Sequence, residues 1–158
     1  MFNKKDILTK RLEKLDAHYS AIKEYKELID GMLQEKNILT VENFNFIQAQ
    51  ERALFDAYLK RFTSIQDFLG SKIFPLLLEI SGISTSKMTE VLDYIEKEEI
   101  IDSLEHWIEI REIRNELEHD YPDELQEALD DLKYCIDNFE TLQSYYLNVK
   151  NFVKRFTL

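Results

Sequence analysis

From Asp6 onward, apolar side chains return at intervals of three, four and five: Ile7, Leu12, Leu15, Tyr19, Ile22, Tyr25, then Leu28 or Ile29. That period draws one stripe along a helix and does not fit a strand, whose faces alternate every second residue. A stripe this long has to be covered by other elements with a matching face, which constrains the chain toward packed helices from its first turns. Chain-breakers are scarce enough to allow the same pattern elsewhere, since 158 residues contain three glycines and two prolines. With 44% hydrophobic and 32% charged residues, the composition is that of long helices joined by few turns.

The first helix is expected over roughly Asp6 to Leu33, ending near Gly31, with Met32 to Leu39 as a connection. Thr40 and Asn43 are rival N-caps for a second long helix reaching about Gly70. Its aromatic-rich face, with Phe44, Ile47, Tyr58, Phe62, Ile65 and Leu69, is read as core rather than a base-stacking surface. Pro75 in an apolar run marks a kink or a new short helix. Ser81 to Ser86 reads as a loop before a helix from about Lys87 to Lys97. A fourth long helix runs from Ile101 or Ser103 to Asp120, with Leu104, Trp107, Ile108, Ile110 or Arg111, Ile113 or Arg114, and Leu117 on its buried side. Trp107 is expected to anchor the bundle or a dimer contact. After Pro122 a final long helix is expected to about Phe156. The sum is an all-α, up-and-down bundle of about five helices, a single domain over residues 1–158.

No apolar run approaches 18 residues, so no membrane span is expected. The first residues, Met-Phe-Asn-Lys-Lys-Asp, lack an apolar signal core. One cysteine, Cys135, cannot close an internal disulfide, which suits a cytoplasmic protein; with no His or Cys at ligand spacing it reads as a small hydrophobe rather than a metal ligand. No Gly-rich phosphate loop and no metal constellation appears, and no cofactor is expected. The formal charge is 20 − 31 = −11, which opposes long-range attraction of a polyanion. Against that, Lys4, Lys5, Lys10, Arg11 and Lys14 open the first helix and Lys150, Lys154 and Arg155 close the last. If these helices pack antiparallel, the clusters share one end. Arg52 and Arg61 are read as helix-surface ion pairs, and His18 and His106 as surface or satisfied histidines.

Polar chemistry concentrates in Arg111-Glu-Ile-Arg114-Asn115-Glu-Leu-Glu-His119-Asp-Tyr121-Pro122. An always-cationic fork, a group titrating near neutrality and a phenol gather where proline should end a helix. Arg114 lies close to the apolar side, so it needs a carboxylate partner or a polar seam. At 3.6 residues per turn, Arg114 and His119 stand about 140° apart, while Asn115 and His119 share a face. A site using both Arg114 and His119 needs either a break in the helix or a second copy of the chain, and a two-fold homodimer is the favoured answer.

Arg114-x4-His119-x-Tyr121, with Asn115 directly after the arginine, resembles the Arg-x4-His-x-Tyr motif of HepT-like proteins, a branch of the HEPN superfamily of all-helical, often dimeric domains. The resemblance implies a metal-independent endoribonuclease toxin that cleaves RNA, with tRNA among the candidates. Arg114 and His119 would be catalytic and Asn115 and Tyr121 supporting. It also implies a partner, a minimal nucleotidyltransferase antitoxin of the MntA type that silences the toxin by adding AMP to Tyr121. A sister group of non-catalytic substrate-binding subunits of minimal nucleotidyltransferases supplies the alternative, and an unrelated helical adaptor a third. Arg114 and His119 buried in intrachain ion pairs away from any groove would count against the nuclease.

Overall fold

The computed structural model of the chain describes residues 3–119 and 124–158, without the side chain of His119. Among the described residues there is no strand, so the all-α expectation holds.

Helix α1 spans Lys4–Glu35 and starts where Asn3 accepts the Asp6 backbone N–H at 2.9 Å. It passes straight through Gly31, because an exposed glycine lowers helix stability without supplying a stop. Thr40 is the N-cap, as one of the two expected candidates, but it caps only the short α2, Val41–Phe44. The expected long second helix is interrupted here. Asn43 turns its amide back onto the Asn37 carbonyl at 2.6 Å, and α3, Ala49–Phe68, begins afresh with Glu51 accepting the Gln48 backbone N–H.

After Phe68 the helix widens into a π segment, Leu69–Ile73, before α4, Phe74–Ile80. Pro75 accounts for the change: it has no N–H to offer Ser71, and its ring crowds that carbonyl. The expected loop over Ser81–Ser86 leads into α5, Met88–Lys97. Helix α6 is Leu104–His119, entered where Ser103 accepts the His106 N–H. The expected final helix is broken into α7, Leu125–Asp137, α8, Phe139–Phe152, and a 3₁₀ turn, Val153–Phe156. Asn138 makes the break, with its side chain donating to the Tyr134 carbonyl at 2.9 Å in competition with the helix ladder.

Helix α3 lies antiparallel to α1, with Arg11 reaching the Lys72 carbonyl at one end and Lys36 pairing with Glu51 at the other. It also lies antiparallel to α6, through Thr63 with Glu118 and Asp67 with Arg114. Leu15, Ile22, Ile29, Tyr58, Phe62, Ile65 and Phe74 are fully buried between these layers. Each such side chain contributes roughly 1.5–3 kcal/mol. Trp107 anchors the bundle from within, against Phe74 at 5.2 Å and Tyr145 at 5.6 Å. Gly70 makes room for it, since a Cβ there would stand 3.2 Å from the indole. Cys135 is buried, as expected of a small hydrophobe, and burial pushes its thiol up to about 12.

Helices α1 and α8 do pack antiparallel: Tyr19 stacks on Tyr146 at 4.0 Å and Lys150 reaches Asp16 at 3.0 Å. The two basic clusters therefore share an end, but not as an open patch. Lys150 is held by Asp16, Arg155 by Glu98 at 3.7 Å and Lys4 by Glu79 at 3.9 Å. No helix among the described residues is long and apolar enough to cross a membrane.

Candidate functional site

Trp107, Ile110, Arg114 and Leu117 form the buried face of α6, spaced three, four and three. An arginine therefore falls into a stripe that the helix has to bury, and its side chain is only 3% exposed. Burying a guanidinium without acceptors would cost several kcal/mol. The neighbouring end of α3 supplies them. Nε donates to Gln66 Oε1 at 2.6 Å, one terminal nitrogen donates to Asp67, and the other donates to Asn115 at 3.1 Å. Gln66, itself buried, is held in turn by donating to the Trp107 carbonyl at 2.9 Å. The guanidinium is thus fixed in plane by three acceptors.

This cluster forms one wall of a cleft of about 240 Å³, where α3, the π segment and α6 meet. Gln66, Asp67, Gly70, Ser71, Met88, Trp107, Arg111 and Arg114 line it. Asp67 is more than half exposed at the rim, so the ion pair opens onto water rather than being sealed in. Arg111, weighed in the sequence as a buried position, is exposed and adds a second guanidinium to the cleft. The widened π turn places Gly70 and Ser71 in the lining of the same cleft, in the kind of helix defect that recurs at functional sites.

Of the residues marked in the sequence, Arg114 and Asn115 are brought together. His119 lies five residues on in the same unbroken helix, so no break in α6 turns it toward Arg114. Tyr121 lies outside the described residues, as does the side chain of His119. Asp67, Gln66 and Ser71 were not singled out. The one signal for Asp67 was the rule that a buried arginine needs a carboxylate, which does not say which of 31 acids answers.

Other expectations need correction. Among the described residues Arg61 pairs with no carboxylate: it donates to Nδ1 of His18 at 2.9 Å. Arg52 stands over the Phe44 ring at 5.8 Å. The reading of His106 as a surface or satisfied histidine stands, with both ring nitrogens engaged across four segments: Nδ1 meets Asp102 at 2.5 Å and Nε2 meets Asn138 at 2.9 Å, while Tyr145 donates to the same Asp102 at 2.6 Å. Among the described residues, no group of three or more His, Cys, Asp or Glu is placed to hold a metal ion. No family model, curated protein or solved structure matches the chain.

Proposed function

We propose that the chain is a HepT-like endoribonuclease whose Arg114 cleft forms part of an RNA-cleaving site, completed across a two-fold axis by a second copy. The observation that carries this reading is the placement of Arg114. A buried guanidinium is fixed at a cleft wall with three of its five N–H groups committed among the described residues, in the same helix as His119. In the proposed reaction the RNA 2′-oxygen attacks the adjacent phosphorus and the P–O5′ bond breaks, giving a 2′,3′-cyclic phosphate and a 5′-hydroxyl. His119 takes the 2′-hydroxyl proton or returns one to the leaving oxygen. Arg114 and Arg111 balance the charge that grows on the phosphorane. Asn115, one turn before His119 on the same face, orients the imidazole or a phosphate oxygen, and Tyr121 donates to the phosphate. AMP on Tyr121, added by a minimal nucleotidyltransferase partner, places bulk and negative charge where RNA has to sit.

A second reading is favoured by a specific observation: Asp67 already neutralises Arg114 in a chain of charge −11. A non-catalytic subunit that docks a nucleotidyltransferase needs Arg114 only as a structural tie.

Expression in bacteria beside His119→Ala and Tyr121→Phe separates the two. The nuclease reading expects growth arrest with fragmented tRNA, relieved by His119→Ala, with cleavage falling about 100-fold or more. Folded, dimeric protein without toxicity in any variant would transfer the assignment to the docking subunit.

A further inference from the structure

Along the seam between α1 and α3, Arg11, Lys14, His18, Arg61 and Lys72 come together. Arg61 faces His18, Lys14 stands over the Phe68 ring at 5.4 Å, and Phe68 packs against His18. Arg11 crosses to the Lys72 carbonyl at 2.8 Å. Among the described residues, none of Arg11, Lys14, Arg61 or Lys72 pairs with a carboxylate. In a chain with 31 acids and 20 bases, a run of cations without one acidic partner is the opposite of what the composition favours. Like charges held this close repel one another, and His18 registers it: burial first, then Arg61 and Lys14, hold its pKa below the ordinary value, with no acid among the causes.

The seam leads to the cleft. Lys72 and Ser71 are adjacent in the π segment; the first receives Arg11 and the second lines the cleft beside Arg111 and Arg114. From Arg61 to Lys72 the track is about 16 Å long at 1.5 Å per residue, enough for a few consecutive phosphates. We propose that the α1–α3 seam is a backbone track for single-stranded RNA, four cations that hold phosphates and feed the strand to the cleft at the π segment. The choice of RNA rests on the ribonuclease reading above; the existence of an anionic, linear occupant rests on the seam. A narrow line of cations between two helices fits a strand rather than a flat membrane surface, and phosphate contacts of this kind position a chain without reading its sequence.

The test uses the full-length His119→Ala chain, so that cleavage cannot interfere, and a fluorescein-labelled oligouridylate read by anisotropy between 50 and 300 mM KCl. Four phosphate contacts predict a slope of log K against log salt of about −3. Replacing Arg11, Lys14, Arg61 and Lys72 by Gln should weaken binding at least tenfold at the lowest salt and remove most of the slope, leaving only the share of Arg111 and Arg114 at the cleft. Lys14→Gln with Lys72→Gln, two exposed positions that leave Arg61 and His18 in place, should remove about half of the slope. Lys133→Gln with Lys154→Gln should change nothing. Unchanged binding in the fourfold variant, equal loss in the Lys133/Lys154 control, no binding by the parent, or seam-dependent binding to phosphatidylserine vesicles in place of oligouridylate would each overturn the proposal. If the wild-type chain binds through the seam yet leaves RNA intact, the ribonuclease reading fails and the track stands.

Discussion

His18 and His106 look alike in the sequence, each a single histidine on an amphipathic helix, and they sit in opposite electrostatic surroundings. His18 accepts a hydrogen bond from Arg61 on Nδ1, so that nitrogen carries no proton and the ring is neutral. His106 is the reverse. Asn138 gives its amide hydrogens to the Tyr134 carbonyl and so turns its oxygen toward Nε2, while Nδ1 faces the Asp102 carboxylate. Both ring nitrogens thus face acceptors, an arrangement that only the imidazolium form satisfies in full. Its partner Asp102 also lines an acidic groove of about 570 Å³ with Glu96, Glu99 and Glu140 in its walls. The acids of this chain are not spread evenly. They leave one seam cationic and line one groove with carboxylates, and a single net charge describes neither.

The contrast breaks most visibly if His106 is removed. His106→Ala deprives Asp102 and Asn138 of a shared partner and is expected to lower unfolding free energy by about 2 kcal/mol at pH 6, measured by urea denaturation. His18→Ala, which frees only one hydrogen bond and relieves two cations, should cost less than half of that.

The pH dependence sharpens the same comparison. Burial pulls the His106 pKa down, but the hydrogen bonds to Asp102 and Asn138 outweigh it and raise the pKa above its ordinary value. Its contribution is therefore complete below about pH 6.5 and is lost as pH rises through the raised pKa. Burial likewise opposes the shift in Asp102, yet bonds from His106 and Tyr145 lower its pKa, so its share is lost only as pH falls through that lowered value. The tie holds best between about pH 4 and 6.5. In His106→Gln the fall in stability above pH 6.5 should vanish.

For His18 the sign reverses. Its lowered pKa, from burial and then Arg61 and Lys14, means that stability is full above about pH 6.5 and declines as pH falls through the folded value. His18→Gln should remove that decline, an effect smaller than that of His106→Gln because one half-exposed ring is involved. Smallest of all, Lys14→Gln should move the His18 titration upward and leave His106 where it was, as two-dimensional NMR of the ring nitrogens would record. Movement of both would mean that the two regions are coupled through the bundle.

How far the sequence reveals these features depends on the range over which each is encoded. The α1 stripe, the Thr40 cap, the Ser81–Ser86 loop and the buried face of α6 rest on periods and caps a few residues long, and all are legible. The break ahead of α3 was legible too, in the Gln48-x-x-Glu51 spacing, but the aromatic stripe running across it was the louder signal. At Asn138 the apolar period continues on both sides, so only the side-chain bond to Tyr134 betrays the break. In the candidate site, Arg114 and Asn115 stood out as local motif residues. Asp67 sits 47 positions away and His18 meets Arg61 across 43, and pairings over such separations are fixed by helix packing that no local pattern records.

The π segment carries a further consequence, in genetic rather than energetic terms. A π turn is an α-helix holding one residue more than its length requires. The mouth of the Arg114 cleft is therefore one codon wide. An in-frame deletion at Ser71 would take out that surplus residue and the widened turn that lines the cleft while α3 and α4 keep their facing, so that Asp67 stays with Arg114 and the mouth narrows. A change of length, not of side chain, is the shortest mutational step between an open form of this cleft and a sealed one.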